Sequence, residues 1–337
     1  MDVTRANGRE VLVSLTVSTS SIASVRVGAK SVEAMMFDFK SKRRLRAQHH
    51  GSGSPATVMS LVNTLASELG QAAPVAVAVG IEAPIERETG AVAPWASTRL
   101  PEWREINIRS ILENGLGLPV VVDNDANFDA LAEWTWGVGR RADCFLNITC
   151  SEGVGSGLII DGRVHRGSDG MAGQIGHTVV EQDGAVCFCG NRGCLATLIS
   201  ERAIVSALSG SDSPKPDLPA VVQAATKGDP ACQRVLFESG RHLGRALCNA
   251  AKLLSPRTIS IGGLLSGAGT FVLDGLNSSI EVASLRAISP SIEFAIGRLG
   301  HRSKLLGGLA AALDVSGQGV SELESWMTLD ADPRNHS

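Results

Sequence analysis

The alternation of apolar and polar residues predicts a chain of short strands and amphipathic helices. Apolar, β-branched runs separated by Ser, Gly or Lys predict three opening strands, at residues 11–18, 21–28 and 31–39. The basic run 40–50 favours a solvated edge strand over a polyanion-binding patch, because charge on an edge keeps sheets from pairing with one another. A helix with Leu recurring on one face follows at 56–69, and the uninterrupted apolar run 74–81 predicts a strand covered on both faces.

The rest of the chain repeats this order of elements. The further predictions are helices at 106–113, 201–208, 220–226, 230–254, 270–280 and 304–313, strands at 120–122, 144–150 and 292–296, a strand that runs into a glycine turn within 257–269, and a hairpin at 158–165. Strands followed by crossover helices thus occur twice, near 11–122 and near 143–296. This repetition predicts two α/β halves with a cleft between them.

The domain boundaries follow from that reading. We expect a smaller α/β domain from residues 11–124 together with 303–315, and a larger one from residues 125–302. Residues 1–10 are interpreted as an N-terminal segment and the polar stretch 316–337 as a flexible tail.

Polar residues stand where the buried strand 120–122 ends and a helix begins. The three in succession are Asp123, Asn124 and Asp125. The carboxyl end of a strand next to a helix N-terminus is where α/β proteins hold ligands. Asp123 or Asp125 could instead be only the N-cap of the helix. The glycine-rich turn 151–157 offers backbone N–H groups to an anion, although such a turn is weak evidence by itself.

One His and three Cys lie close together in the second half. They are His177, Cys187, Cys189 and Cys194. These four supply a complete tetrahedral ligand set for Zn²⁺, and a closed set without a water position indicates a structural metal. Gly190 and Gly193 let the backbone turn tightly between the ligands. The alternative is a set of buried small side chains or a disulfide. We call residues 177–194 the zinc loop.

Composition narrows the class of protein. The chain has 337 residues, a formal net charge of −3, 44% hydrophobic and 19% charged residues, which is typical of a soluble globular protein and not of a nucleic-acid binder. No signal peptide and no apolar run of membrane-spanning length is evident. Three of seven Cys are assigned to the metal, and the other four are interpreted as core residues, so a reducing, cytoplasmic compartment is expected.

Several stretches together resemble the ROK family of repressors and sugar kinases. They are VVVDNDANFDALAEWTWGVG, GVGSGLIIDGRVHRG, AGQIGH and CFCGNRGCL, which begin at residues 120, 153, 172 and 187. The resemblance covers roughly residues 11–313 and implies an actin-like, ribonuclease-H-like ATPase fold with two α/β domains. In the kinases of that family, sugar lies in the interdomain cleft and ATP phosphates lie on two glycine-rich turns.

The resemblance implies a retained sugar site. Asp125 matches the family's catalytic base, and Asn124 matches its sugar-binding neighbour. His177 matches a residue that binds zinc and touches sugar, and Thr98 is similar in position to another sugar contact. Gln174 replaces a family Glu and keeps its hydrogen-bonding capacity but not its charge, so it is counted among the sugar contacts. Ala196 replaces another family Glu and keeps neither, and Pro84-Ile85 replaces a Pro-Gly pair.

The nucleotide site is degenerate by the same comparison. Its positions are Thr16, Ser18, Thr19, Glu152, Gly153, Gly155, Gly262 and Gly263. Thr16, Ser18 and Thr19 are taken to replace the Asp and the two Gly of the kinases' Asp-x-Gly-Gly-Thr. Glu152 replaces a small or hydroxyl residue and adds negative charge beside a polyanion.

Three functions remain open. The first is a sugar-sensing regulator with Zn²⁺ as a structural ion and no phosphoryl transfer. The second is an ATP- and Mg²⁺-dependent sugar kinase with Asp125 as base, and the third is a partner-binding pseudoenzyme without a small ligand. Too few residues precede the first strand for a DNA-reading helix, so no direct DNA binding is expected. The resemblance also implies a homo-oligomer, and no membrane partner is expected.

Overall fold

Two five-stranded sheets form the centre of the computed structural model. The structure describes residues 3–6, 9–12, 21–70, 73–140, 142–208, 216–282 and 291–316. Ahead of the two sheets, β1 (Val3–Ala6) and β2 (Arg9–Leu12) pair as a separate antiparallel hairpin. Most of the predicted strand 11–18, including Thr16, Ser18 and Thr19, lies outside the described residues, as does the tail from residue 317.

The first sheet has the strand order β5-β4-β3-β6-β7. Its strands are β3 (Ser21–Val27), β4 (Ser31–Asp38), β5 (Arg44–His50), β6 (Ala76–Ile81) and β7 (Val120–Asn124). β3, β4 and β5 are antiparallel, and β6 and β7 continue parallel to β3. The predicted edge strand is confirmed as β5, and the apolar run at 74–81 is confirmed as β6, which is buried along its whole length.

The second sheet has the equivalent order β10-β9-β8-β11-β12. Its strands are β8 (Cys144–Cys150), β9 (Val154–Ile160), β10 (Arg163–Val164), β11 (Thr258–Gly263) and β12 (Glu293–Ile296). Again three antiparallel strands are followed by two parallel ones. The repeat predicted from the order of elements is therefore confirmed.

The helices cover both sheets and join them. They are α1 (Pro55–Glu68), α2 (Ile108–Leu116), α3 (Asp125–Trp136), α4 (Ala196–Ile199), α5 (Glu201–Leu208), α6 (Leu218–Thr226), α7 (Pro230–Leu254), α8 (Gly269–Val282) and α9 (Ser303–Ser316). α1 and α2 pack on one face of the first sheet, and α3 and α9 pack on the other. The last helix thus returns to the first sheet, where it packs with α3.

α3 is the element that positions the site. Asn124 is its N-cap, and the Asn124 side chain accepts a hydrogen bond from the Ala126 N–H at 2.9 Å. The cap is therefore neither Asp123 nor Asp125, which frees Asp125 to face the space between the sheets. Among the described residues, no helix is both long and apolar enough to cross a bilayer.

Candidate functional site

A cleft lies between the two sheets at the N-terminus of α3. Asn124, Asp125, Gln174 and His177 all line it, so four of the five predicted sugar-contacting residues are brought together. Thr98, the fifth, is exposed and is not among the residues that line the cleft. Its neighbour Arg99 lines the cleft instead.

Asp123 and Asp125 have separate surroundings although they are neighbours along the chain. Asp123 accepts hydrogen bonds from the Asn127 side chain at 2.7 Å and from Arg166 Nε at 2.8 Å. Asp125 receives two cations on the same oxygen, Oδ2: Lys304 Nζ at 2.7 Å and Arg26 Nε at 3.2 Å. No hydrogen bond to Asp125 Oδ1 is found within the described residues, so this oxygen can accept from a ligand.

Arg26 is the centre of a charge network on the cleft floor. Besides Asp125, it donates to Glu33 Oε1 at 3.1 Å and to Glu82 Oε2 at 3.3 Å. Burial lowers the pKa of Arg26, but the three carboxylates more than offset this and raise it overall. The guanidinium therefore stays charged at any relevant pH. Arg99 extends the network by donating to Glu82 Oε1 at 3.2 Å.

The turn between β3 and β4 faces the cleft and comprises residues 28–30. A Cβ at Gly28 would lie 2.9 Å from Glu82 Oε2, so a larger residue there would require this carboxylate to shift. Lys30 reaches across to the second sheet, where its Nζ lies 3.0 Å from Glu152 Oε1. The negative charge predicted to oppose a polyanion at Glu152 is thus paired with a cation of the opposite turn.

The glycines of the second sheet lie on the other side of the cleft. Gly153 and Gly155 line it at the β8–β9 turn. Gly262 and Gly263 end β11 next to β8. A Cβ at Gly263, which has φ of +71°, would lie 2.4 Å from the Cys150 carbonyl oxygen. The two glycine turns therefore pack against each other.

The four predicted metal ligands converge. Their ligand atoms all lie within 4.8 Å of one another, with His177 Nδ1 at 3.5 Å from Cys187 Sγ and Cys189 Sγ at 3.7 Å from Cys194 Sγ. A tetrahedron with Zn–S of about 2.3 Å and Zn–N of about 2.0 Å has edges of roughly 3.5–3.8 Å. The donor set and its spacing therefore fit a tetrahedral ion such as Zn²⁺.

The zinc loop also forms a wall of the cleft. The His177 ring packs edge-on against Trp95 and Phe188, with centroids 5.0 Å apart in both pairs. Arg99 lies over the Phe188 ring at 5.6 Å. Burial and then the charge of Arg99 lower the pKa of His177. Ala196 lines the cleft, whereas Ile85 is part of the core of the first sheet.

Sequence reasoning missed Arg26, Arg99 and Lys304. One signal was available for Arg26, because an Arg in a strand of otherwise buried residues needs an acidic partner. The β3–β4 register places Glu33 directly opposite it. Lys304 gives no comparable signal, since one Lys near a helix N-terminus is common on protein surfaces.

Asp129, one turn after Asp125 on α3, is a buried carboxyl group that no ligand explains. Among the described residues, neither of its oxygens has a hydrogen-bond partner, and neither do the Asn147 amide nitrogen and the Thr149 hydroxyl nearby. Burial raises the pKa of Asp129, and the charge of Lys304 and the nearby hydroxyls of Ser303 and Thr149 oppose the rise without cancelling it. The folded chain therefore binds a proton at Asp129 more tightly than the unfolded chain does.

We expect Asp129→Asn to stabilise the fold by about 1–3 kcal/mol at neutral pH, because an unpaired buried carboxylate is removed. A raised carboxyl pKa makes stability fall as pH rises from the unfolded pKa through the folded one. The wild type should therefore lose stability over that window, and the variant should lose less. Urea unfolding across pH measures this, with exposed Asp183→Asn as control. Equal pH slopes for wild type and Asp129→Asn would contradict the prediction.

Comparison with known proteins agrees with the fold. The family model described as "ROK family" matches residues 22–315. A glucokinase of Halalkalibacterium halodurans is 35% identical over 249 residues, which are 69% of this chain and 74% of that protein. The transcriptional regulator NagC of Escherichia coli is 27% identical over 299 residues, 83% of this chain and 72% of that protein.

A solved structure is similar to this chain over most of its length. The ROK family glucokinase from Streptomyces griseus, in complex with glucose and AMPPNP, superposes with a TM-score of 0.74 and 26% identity. The match covers 88% of this chain and 100% of that one. Both kinases and repressors are therefore relatives, and the two sheets are those of the family's sugar kinases. With a family model matching from β3 to the end of α9, the chain belongs to the ROK family.

Proposed function

We propose that this chain is a sugar-sensing regulatory protein that binds a monosaccharide in the cleft and does not phosphorylate it. The observation that supports this best is the pairing of Asp125 Oδ2 with both Arg26 and Lys304. Asp125 Oδ2 accepts from both cations, so this oxygen is not free to take a proton from a sugar hydroxyl. The same carboxylate can still accept a hydrogen bond from a sugar hydroxyl through Oδ1.

We further propose that Arg26, and not Thr16, stands at the Asp of the kinases' Asp-x-Gly-Gly-Thr. Two observations support this assignment: the family match begins at residue 22, and the turn that faces the cleft follows β3. A guanidinium at this position would repel Mg²⁺ instead of helping to hold it. The Lys30–Glu152 ion pair also occupies the space between the two turns that would cradle phosphates.

On the sugar side, Asn124, Gln174 and His177 supply hydrogen-bonding groups, and Trp95 and Phe188 supply aromatic surface. We assign the contact that was predicted for Thr98 to Arg99, which Glu82 and Phe188 hold in place. Zn²⁺, held by His177 and the three Cys, would brace this wall and keep the His177 ring oriented. Homo-oligomerisation is proposed from the family.

Ligand binding is the first test of this function. Glucose, xylose and N-acetylglucosamine are screened by thermal shift, and a bound sugar at a hundred times its Kd should stabilise the chain by about 2.7 kcal/mol. Arg99→Ala should weaken binding roughly tenfold, as expected for loss of a charged hydrogen bond. Thr98→Ala is the matched control and should bind like wild type. Absence of any sugar response would favour a partner-binding pseudoenzyme instead.

A sugar kinase is the second candidate, favoured by the glucokinase relative and by the retained Asp125. A coupled assay for ADP with the same sugars separates the two functions. We expect no sugar-dependent ADP release under conditions in which sugar binding is saturated. ADP release that Asp125→Asn abolishes would establish the kinase and rule out our proposal.

A further inference from the structure

A basic pocket lies between α7 and α8, and it shares no lining residue with the cleft. It measures about 580 Å³, a size that fits a small organic ligand. Four of its nine lining residues are Arg or Lys, although these make up only 31 of the 337 residues of a chain whose net charge is −3. None of the described residues that line it is acidic. The four cations, all on α7, are Arg234, Arg241, Arg245 and Lys252.

The pairing of charges changes along α7. In the first half of the helix, Glu238 pairs with Arg234 and, at 2.9 Å, with Arg241. Such alternation of acid and base is usual on a solvated helix face. Residues 239–254 of the helix contain no Asp or Glu at all. The second half of α7 therefore presents cations to the pocket without acidic neighbours on its own helix.

Arg245 and Lys252 are exposed and have no ion-pair partner within the described part of the chain. Lys252 lies in the last turn of α7, where the helix dipole stabilises a cation. Arg245 lies two turns earlier, so the dipole does not account for it. It also stands four residues after Arg241, a spacing at which like charges on a helix repel each other. A bound anion would remove this repulsion.

The two helices hold the pocket in a fixed shape. Gly275 of α8 lies so close to the Phe237 carbonyl oxygen that a Cβ would overlap it, so α7 and α8 cross in backbone contact. Beside the crossing, Ser279 Oγ donates a hydrogen bond to the Arg241 carbonyl oxygen at 2.9 Å. The Phe237 ring lies 5.9 Å from the Arg234 guanidinium and adds aromatic surface to the pocket. The cations therefore project from a backbone that packing keeps in place.

We propose that this pocket binds a small phosphorylated molecule, with Arg241, Arg245 and Lys252 as the groups that contact its phosphate. A guanidinium fork matches phosphate oxygens in a bidentate manner, and Lys adds a point charge. Arg has five N–H donors, so the pair with Glu238 leaves donors of Arg241 available. The volume exceeds that of a phosphate group, which leaves the Phe237 ring to contact the rest of the molecule. The proposal does not depend on sugar binding in the cleft.

Isothermal titration calorimetry of the full chain with pyrophosphate tests the proposal. We expect one site per chain, with an affinity that falls between about 50 and about 300 mM NaCl because its contacts are charged. Arg245→Gln should weaken binding at least about tenfold, and Arg245→Lys, which keeps the charge but loses the fork, should weaken it less. Arg109→Gln is the control, because Arg109 is exposed on α2 and lies outside the pocket. It should bind like wild type. Thermal unfolding of each variant establishes that it is folded.

Two further measurements identify the site and the class of ligand. Lys30→Gln should leave pyrophosphate binding unchanged, and a loss of binding there that Arg245→Gln does not cause would place the anion in the cleft and overturn the proposal. Citrate should bind at least about tenfold more weakly than pyrophosphate, since its charges lie on carboxylates and not on phosphate groups with three strong acceptor oxygens.

Three other outcomes would also contradict the proposal. They are equal binding of citrate and pyrophosphate, tighter binding of duplex DNA that Arg245→Gln removes, and no binding of pyrophosphate at the lower salt concentration. The second of these would assign the pocket to a nucleic acid.

Discussion

Cys189→Ala should abolish stoichiometric metal binding and lower the unfolding midpoint by on the order of 10 °C. Loss of one thiolate from a closed Cys₃His set leaves three ligands, and the segment between Cys187 and Cys194 forms no helix or strand and is closed by a few backbone hydrogen bonds, such as that from the Cys187 N–H to the Asn191 carbonyl. Elemental analysis of protein prepared without chelator, with calorimetry on the same samples, measures both effects. Wild type should contain one Zn²⁺ per chain.

Cys144→Ala is the matched control for this substitution. Cys144 is a free, partly buried thiol outside the metal cluster, so its replacement should leave the metal content unchanged and cost little stability. Because His177 belongs to both the metal cluster and the cleft, Cys189→Ala should also lose the thermal response to sugar. Metal-free wild type with full stability would contradict the assignment of the zinc loop.

Arg26→Met should destabilise the chain by about 3–5 kcal/mol, the range expected when one member of a buried ion-pair network is removed. The volume of the side chain is nearly kept, so the cost comes from Glu33, Glu82 and Asp125, which lose their shared cation. Urea denaturation measures the free energy of unfolding, provided that the slope with denaturant is unchanged.

Two further variants separate this network from an ordinary surface effect. Arg104→Met breaks the exposed pair with Glu105 and should change stability by about 0.5 kcal/mol or less. Adding Glu82→Gln to Arg26→Met should recover part of the loss, because one unpaired carboxylate is removed. If Arg26→Met were as mild as Arg104→Met, Arg26 would not be the centre of the cleft floor. A gain of sugar-dependent ADP release in Arg26→Asp would bring the kinase interpretation back.

Local patterns in the sequence were sufficient to predict much of the fold of this protein. Period-two and period-3.6 apolar patterns depend on neighbours a few residues away, so strands such as β6 and helices such as α7 could be predicted with nearly their observed bounds. The His/Cys cluster could be predicted from the sequence equally well. Its three Cys fall within one short loop, so their convergence does not depend on distant parts of the fold. The repeated order of strands and helices likewise predicted the paired sheets.

The charge network on the cleft floor was decided by tertiary structure alone. Arg26 and Lys304 reach Asp125 from positions 99 and 179 residues away, and they meet only because α9 returns to pack beside α3 on the first sheet. The apolar pattern of α9 determines that it is buried but not against which helix, so the sequence carried no signal for Lys304. One-residue differences in loops, such as Thr98 facing solvent while Arg99 faces the cleft, depend on backbone turns whose direction only the folded chain establishes.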